Sequence, residues 1–277
     1  MTGATFHTLS LDEMPLAMDW ARREGWNPGV EDGPAFWAGD PEGFFVARVG
    51  EEPAAVISVV NHAPDMAFLG LYIAAPEFRG AGIGFALWEH ALGHAGDRIV
   101  GLDGVPDQQD NYRRSGFELA GETHRYSGVM SGQKSSEVRP VAPGEGGALL
   151  ALEARACGYD KPTFGKAWFA DTETRRTFVL DRDGIEGCVT IRACAEGYKI
   201  GPMVAGSLRD AETLIRAAIA GIGAVDVVID VPDDCPELMA FCADEGLIVS
   251  FNTARMYRGK APVPGPGLRA VATLELG

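Results

Sequence analysis

A chain of 277 residues, 46% apolar and 23% charged, is long enough to bury one large core or two ordinary ones. Its formal charge of −15 sets up an acidic field that repels nucleic acid and favours cations. No run of about 18 apolar residues is present to span a bilayer, and the N-terminus lacks a basic start followed by an apolar core, so the expectation is a soluble, cytoplasmic protein with no nucleic-acid or membrane partner. Five cysteines, Cys157, Cys188, Cys194, Cys235 and Cys242, form no C-x-x-C pair and have no histidine at zinc spacing. They read as reduced, buried thiols, and no metal site is expected.

In chain order, residues 5–11 alternate as a first strand, and Asp12 is placed to cap a helix over 13–24. Its apolar stripe is Met14, Leu16, Ala17, Trp20 and Ala21, and Gly25 stops it. A short helix is expected near 34–38, then strands over 43–49 and 53–61 joined by the turn Gly50-Glu51-Glu52. Residues 68–74 form an apolar strand that crosses a turn at Pro76 into glycines at Gly80, Gly82 and Gly84. A helix follows, with Phe85, Leu87, Trp88, Ala91 and Leu92 on its period. A strand at 98–103, a short helix at 107–115 ended by Gly116-Phe117, and a strand at 122–130 complete the first half.

Alternate glycines ahead of a helix let the backbone approach a ligand and turn several N–H groups toward one point, beside the positive end of the helix dipole. With Arg79 at its mouth, the loop suits a phosphate or pyrophosphate. A P-loop would need Lys-Ser or Lys-Thr after the last glycine, where Phe85-Ala86 stands. A dinucleotide fingerprint would need a further glycine at G-x-G-x-x-G spacing.

Arg79-Gly80-Ala81-Gly82-Ile83-Gly84 instead resembles the R/Q-x-x-G-x-G/A motif of the GNAT superfamily of acetyl-CoA-dependent N-acetyltransferases. Tyr112-Arg113-Arg114-Ser115-Gly116-Phe117 is similar to that family's Y-x-x-x-G-F signature, a second and separate match. The resemblance implies an α/β (α+β) fold: two tandem GNAT-like domains, each a mixed, mostly antiparallel sheet flanked by helices. It implies acetyl-CoA as co-substrate, its pyrophosphate on Arg79, Gly80, Ala81, Gly82, Ile83 and Gly84, and its pantetheine on the main chain of Ile73 and Ala74. Tyr112 would be the general acid for the departing thiolate, or else a packed aromatic on a short helix. The early helical region would form the acceptor wall, so Trp26, Phe36 and Trp37 are wall or core.

The second half repeats the order more weakly. A strand at 137–141, helices at 146–157 and 164–169, strands at 175–180, 187–193 and 198–204, a helix at 208–220, a strand at 225–231, a helix at 235–244 and a closing strand pair are expected. The division is 1–130, a polar linker at 131–136, a diverged domain at 137–260, and a Pro/Gly-rich tail at 261–277 in which no chemistry is legible. The loop equivalent to the cradle, Gly201 to Ser207, has neither arginine nor alternating glycines, so this half reads as structural or acceptor-shaping.

The base is less defined. Asp103, at a strand end, could take the amine proton or cap the next turn, with His62 and Glu77 as weaker candidates. Gly104 to Gln108 lacks the asparagine that the family usually places there, and Asn111 is not at that position. His90 and His94, without the glutamate of H-E-x-x-H, read as a polar helix face. The expected reaction is acetylation of a primary amine on a small, cationic molecule; the alternative is a catalytically silent acyl-CoA-binding sensor or assembly module. A homodimer is compatible with the sequence.

Overall fold

The computed structural model describes residues 3–223 and 225–277. The first half comprises β1 (Ala4–Thr8), α1 (Met14–Arg23), α2 (Asp32–Gly39), β2 (Phe44–Val49), β3 (Glu52–Asn61), β4 (Met66–Ala74), α3 (Ile83–Ala95), β5 (Ile99–Gly104), α4 (Gln109–Arg114) and β6 (Glu118–Met130). The second comprises β7 (Val138–Pro140), α5 (Gly146–Cys157), α6 (Pro162–Trp168), β8 (Arg175–Asp181), β9 (Ile185–Ala193), β10 (Tyr198–Val204), α7 (Leu208–Ala220), β11 (Val225–Pro232), α8 (Pro236–Asp244), β12 (Ile248–Arg258) and β13 (Leu268–Ala270). In each half a helix crossover makes one pair of strands parallel, β4 with β5 and β10 with β11. All other ladders among the described residues are antiparallel. No helix among them is long and apolar enough to cross a membrane.

The strands join one sheet in the order β1-β2-β3-β4-β5-β12-β6-β11-β10-β9-β8-β7, with β13 beside β10. β12, from the second half, lies between β5 and β6, and β6, from the first, lies between β12 and β11. The halves therefore exchange their last strands. The exchange reaches the cores: Ala254 and Met256 of β12 are buried with Leu87, Trp88 and Ala91 of α3, while Tyr126 and Met130 of β6 are buried with Leu214 and Ile215 of α7. A boundary at 131–136 divides the sequence without dividing the sheet. That segment is also docked, since the Gln133 N–H donates to the Arg216 carbonyl at 2.9 Å.

Buried ions fasten the halves. Asp32 on α2 accepts from Arg175 at 2.9 Å and Arg192 at 3.1 Å, and both guanidinium groups lie over the Trp168 ring at 4.4 and 4.5 Å. A fully buried carboxylate is stable here because two cations and the Gly29 N–H saturate it.

Residues 261–277, expected as a tail, close the fold instead. β13 pairs with β10 through Met203↔Ala270 and Val204↔Leu268, and the Val271 N–H donates to the Asp230 carbonyl of β11 at 3.1 Å. The segment thus occupies the wedge between β10 and β11, and residues 270–277 are all buried. It then crosses β4 so closely that a Cβ on Gly70 would lie 1.9 Å from the Glu275 carbonyl oxygen. His62 Nε2 donates to the Leu276 carbonyl at 2.8 Å, and the Lys161 ammonium, paired with Glu153 at 2.8 Å, donates to the Gly277 carbonyl.

A fragment ending at residue 136 would leave β5 without β12 and β6 without both neighbours. It is expected to associate or to unfold without cooperativity in size-exclusion chromatography and urea titration. A monomeric fragment that unfolds cooperatively would contradict the exchange.

Candidate active site

β4 and β5 run in register from Met66↔Ile99 to Leu69↔Leu102 and then part. The break coincides with a left-handed backbone at Leu71, φ 48°, and with a register shift between β3 and β4 at Val56 to Ser58. A bulge of this kind bends the strand away from its neighbour. Beyond it, the edge of β4 that faces β5 has no strand partner, so its main-chain groups are free to bond an extended, amide-bearing chain. Ile73 and Ala74 lie on this stretch. The Ala74 carbonyl is shared already, accepting from Arg79 Nε at 2.9 Å.

Gly80 and Gly82 have φ of +76° and +78°, and a Cβ on either would meet nothing within 4 Å. Glycine is needed there for the left-handed backbone, and the open space beside it is room for a ligand. Gly82 caps α3, whose first-turn N–H groups at Ile83, Gly84 and Phe85 have no intrahelical acceptor. The Ile83 side chain is buried and anchors the turn, Ala81 is exposed, and the missing Cβ of Gly84 leaves room for the Tyr72 hydroxyl. Arg79 is not a free cation at the mouth: it pairs with Glu24 at 2.6 Å. Both side chains are substantially exposed, and such a pair is worth under about 1 kcal/mol, so an anion on the glycines can compete for the guanidinium.

Behind the wedge lies a small, partly open cavity. It shares Trp26, Tyr72, Val105 and Gln108 with the groove along the glycine loop, so the two adjoin. Tyr112 lines the cavity from α4, its ring stacked on Trp88 at 5.4 Å and 17°. The ring fits because residue 104 is glycine; a Cβ there would lie 2.6 Å from it. Burial, and then the neighbouring Tyr72, hold the Tyr112 phenol well above the ordinary phenol range, so it keeps its proton at neutral pH.

Asp103 also lines the cavity, but as half of an ion pair: Arg255 Nε donates to Oδ1 at 2.9 Å and Nη2 to Oδ2 at 2.6 Å. Burial pushes the Asp103 carboxyl up, and Arg255 pulls it down. Burial opposes the Arg255 charge in turn, but Asp103 raises that guanidinium well above its usual range. With both oxygens engaged, Asp103 is poorly placed to accept an amine proton. The pairing arises from the strand exchange, which sets Arg255 of β12 opposite Asp103 of β5.

The other expected bases lie elsewhere. Glu77 is exposed beside the glycine loop, and His62 is buried under the C-terminal segment. Of the three aromatics expected at the acceptor wall, Trp26 lines the cavity, whereas Phe36 is fully buried against Trp168 and Trp37 packs on that same core. His94 bonds Asp40 at 2.8 Å, His90 packs on Phe6 and Phe45, and all five thiols are free and buried.

Among the polar residues of the cavity, Tyr72, Gln108, Arg125, Thr253 and Glu275 have no role in the sequence reading. Glu275 had a signal, because Leu268, Ala270, Ala272, Leu274 and Leu276 alternate with Arg269, Thr273 and Glu275 as a half-buried strand does. The proline and glycine run just before it masks the pattern.

The equivalent wedge in the second half is closed. The C-terminal segment fills it, and the start of α7 is capped by Ser207, whose Oγ accepts from the Asp210 N–H at 3.2 Å, while Arg182 pairs with Asp210 at 2.9 Å. Arg269 Nε donates to the Ala205 carbonyl at 3.1 Å, the counterpart of Arg79 on Ala74.

Residues 9–117 match the Acetyltransferase (GNAT) family, and residues 149–267 match a further Acetyltransferase (GNAT) domain. Over 273 residues the chain is 34% identical to Holothin acyltransferase of Pseudoalteromonas sp. (strain SANK 73390), covering 97% of this chain and 92% of that protein. A candidate acetyltransferase from Pyrococcus horikoshii superposes with a TM-score of 0.83 at 18% identity, over 100% of this chain and 97% of that one. A tandem GNAT protein from the clavulanic acid biosynthesis pathway superposes with a TM-score of 0.60 at 15% identity, over 95% and 99%. The last two show a shared fold.

His62 allows a test of the segment that closes the cavity. Burial and the charge of Lys161 push its pKa down from 6.5 to about 3, so the folded protein excludes a proton that the unfolded chain binds. Stability should therefore fall on acidification below pH 6.5, at up to about 1.4 kcal/mol per pH unit from this group. Urea unfolding is expected to show wild type losing about 2 kcal/mol more than His62→Asn between pH 6.5 and 5. Parallel pH dependences would contradict the assignment.

Proposed function

The chain belongs to the GNAT acetyltransferase family as a tandem member and is an acyltransferase, and we propose that its first half transfers acetyl from acetyl-CoA to a primary amine of a small molecule. One observation supports the reading: a left-handed glycine cradle lines a groove at the splay of β4 from β5, and the adjoining cavity is lined by the buried Tyr112.

The pyrophosphate would lie on Gly80, Gly82 and the first turn of α3, drawing Arg79 from Glu24. The pantetheine would run along the free edge of Ile73 and Ala74 and bring the thioester carbonyl into the cavity. The amine, entering from the Trp26 side, attacks that carbonyl; the C–N bond forms and the nitrogen gives up one proton, the C–S bond breaks, and Tyr112 protonates the thiolate and regains its proton from solvent. The relative named for holothin supports a small-molecule acceptor. The second half would bind no acyl-CoA, because its own chain fills the corresponding wedge; its role is to complete the first half's sheet and cavity.

Gly82→Trp is expected to abolish acetyl-CoA binding in calorimetry. Tyr112→Phe should keep the Kd for acetyl-CoA within about twofold while lowering kcat about 100-fold, read as thiol release over a panel of amines. Unchanged turnover in Tyr112→Phe would remove it from the mechanism and favour a packing role for its ring.

A further inference from the structure

The carboxylates and guanidinium groups around the cavity are paired with one exception. Asp103 is held by Arg255, and Arg125 is held by Asp230 at 2.7 Å. Glu275 is 5% exposed, lines the same cavity as Tyr112, and makes no ion pair among the described residues. Its Oε2 accepts from the Thr273 hydroxyl, which fixes the side chain without neutralising it. The buried charges of Lys199 and Arg125 act on it only at longer range, and no cation among the described residues contacts it, so a carboxylate lining the cavity in this way points to a ligand that brings it a proton or a positive charge. A second group gives the same indication. Thr253 of β12 is 3% exposed, lines the cavity, and its Oγ1 is buried with no hydrogen-bond partner.

Building on the acyltransferase reading above, we propose that Glu275, delivered by the C-terminal segment of the second half, is the carboxylate that takes the acceptor's amine proton in the first half's cavity. Thr253 holds the same nitrogen. The walls between them, Trp26, Leu71, Phe251 and Leu274, are apolar or aromatic, so the acceptor class is a compact, flat primary amine rather than a polycation. The amine enters neutral. As nitrogen bonds to the thioester carbon, one N–H proton passes to Glu275; as the C–S bond breaks, the sulfur takes the Tyr112 proton. Exchange with solvent then returns the Glu275 proton to Tyr112, so one proton leaves nitrogen and one reaches sulfur.

This assignment also accounts for the path of the segment. It crosses β4 at Gly70, where only a residue without a Cβ lets the Glu275 backbone come this close. Glu275 thereby lines the cavity next to the point where β4 leaves β5.

The test uses the full chain, acetyl-CoA, and two probe amines, p-anisidine and tryptamine. Wild type, Glu275→Gln, Glu275→Asp and Thr253→Val are compared by calorimetry with acetyl-CoA, by thermal melting, and by thiol release. The expected result is acetyl-CoA affinity within twofold in all four and kcat/KM down at least 100-fold in Glu275→Gln. Glu275→Asp should recover about tenfold of that loss, and Thr253→Val should raise KM three- to tenfold. Wild-type kcat/KM in a folded Glu275→Gln overturns the proposal; should that variant not fold, wild-type kcat/KM in Glu275→Asp does so. Wild type that binds acetyl-CoA yet acylates neither amine also overturns it. Wild type without affinity for acetyl-CoA would instead remove the reading on which the proposal rests.

Discussion

Two parallel strands that diverge leave main-chain donors and acceptors unpaired on their facing edges, and a folded chain must satisfy them. This chain meets the requirement in two ways. Between β10 and β11 it inserts its own residues 268–271, hydrogen-bonded to both strands. Between β4 and β5 it leaves the edge open and sets a left-handed glycine loop at its end. The open wedge is suited to an acyl-CoA, and the filled one holds the segment that shapes the open one's far wall. The same segment thus fills one wedge and lines the cavity beside the other.

The exchange of β6 and β12 makes this division of labour possible. Because β12 sits against β5, Phe251 and Thr253 from the second half line the first half's cavity, and Arg255 pairs with its Asp103. Because β6 sits against β11, Arg125 and Asp230 form a doubly hydrogen-bonded, buried pair across the halves. Removing one member of such a pair strands a charge in the interior, at a cost of about 3–5 kcal/mol. The cavity is therefore a property of the whole chain.

What the sequence discloses and what it hides follow from the range of the interactions. Gly80 and Gly82 are legible because a left-handed turn before a helix is a local demand. Tyr112 is legible because its place before Gly116-Phe117 is local too. Strand exchange is not legible: β6 and β12 carry the same alternation whichever neighbour they pair with, so Asp103 reads as a free carboxylate until Arg255 is seen opposite it. Trp26 cannot be told from Phe36 and Trp37 by type, since all three are large aromatics in one helical region and only packing separates wall from core. Residues 268–276 alternate as a strand, but a strand whose ladder lies more than sixty residues earlier in the chain gives no local sign of where it docks.

Native mass spectrometry of the full chain titrated with acetyl-CoA tests the central claim most directly, since one wedge is open and the other is filled by the chain itself. The account predicts saturation at one acetyl-CoA per chain. Two per chain would mean that residues 268–277 yield the second wedge to ligand, and would contradict it.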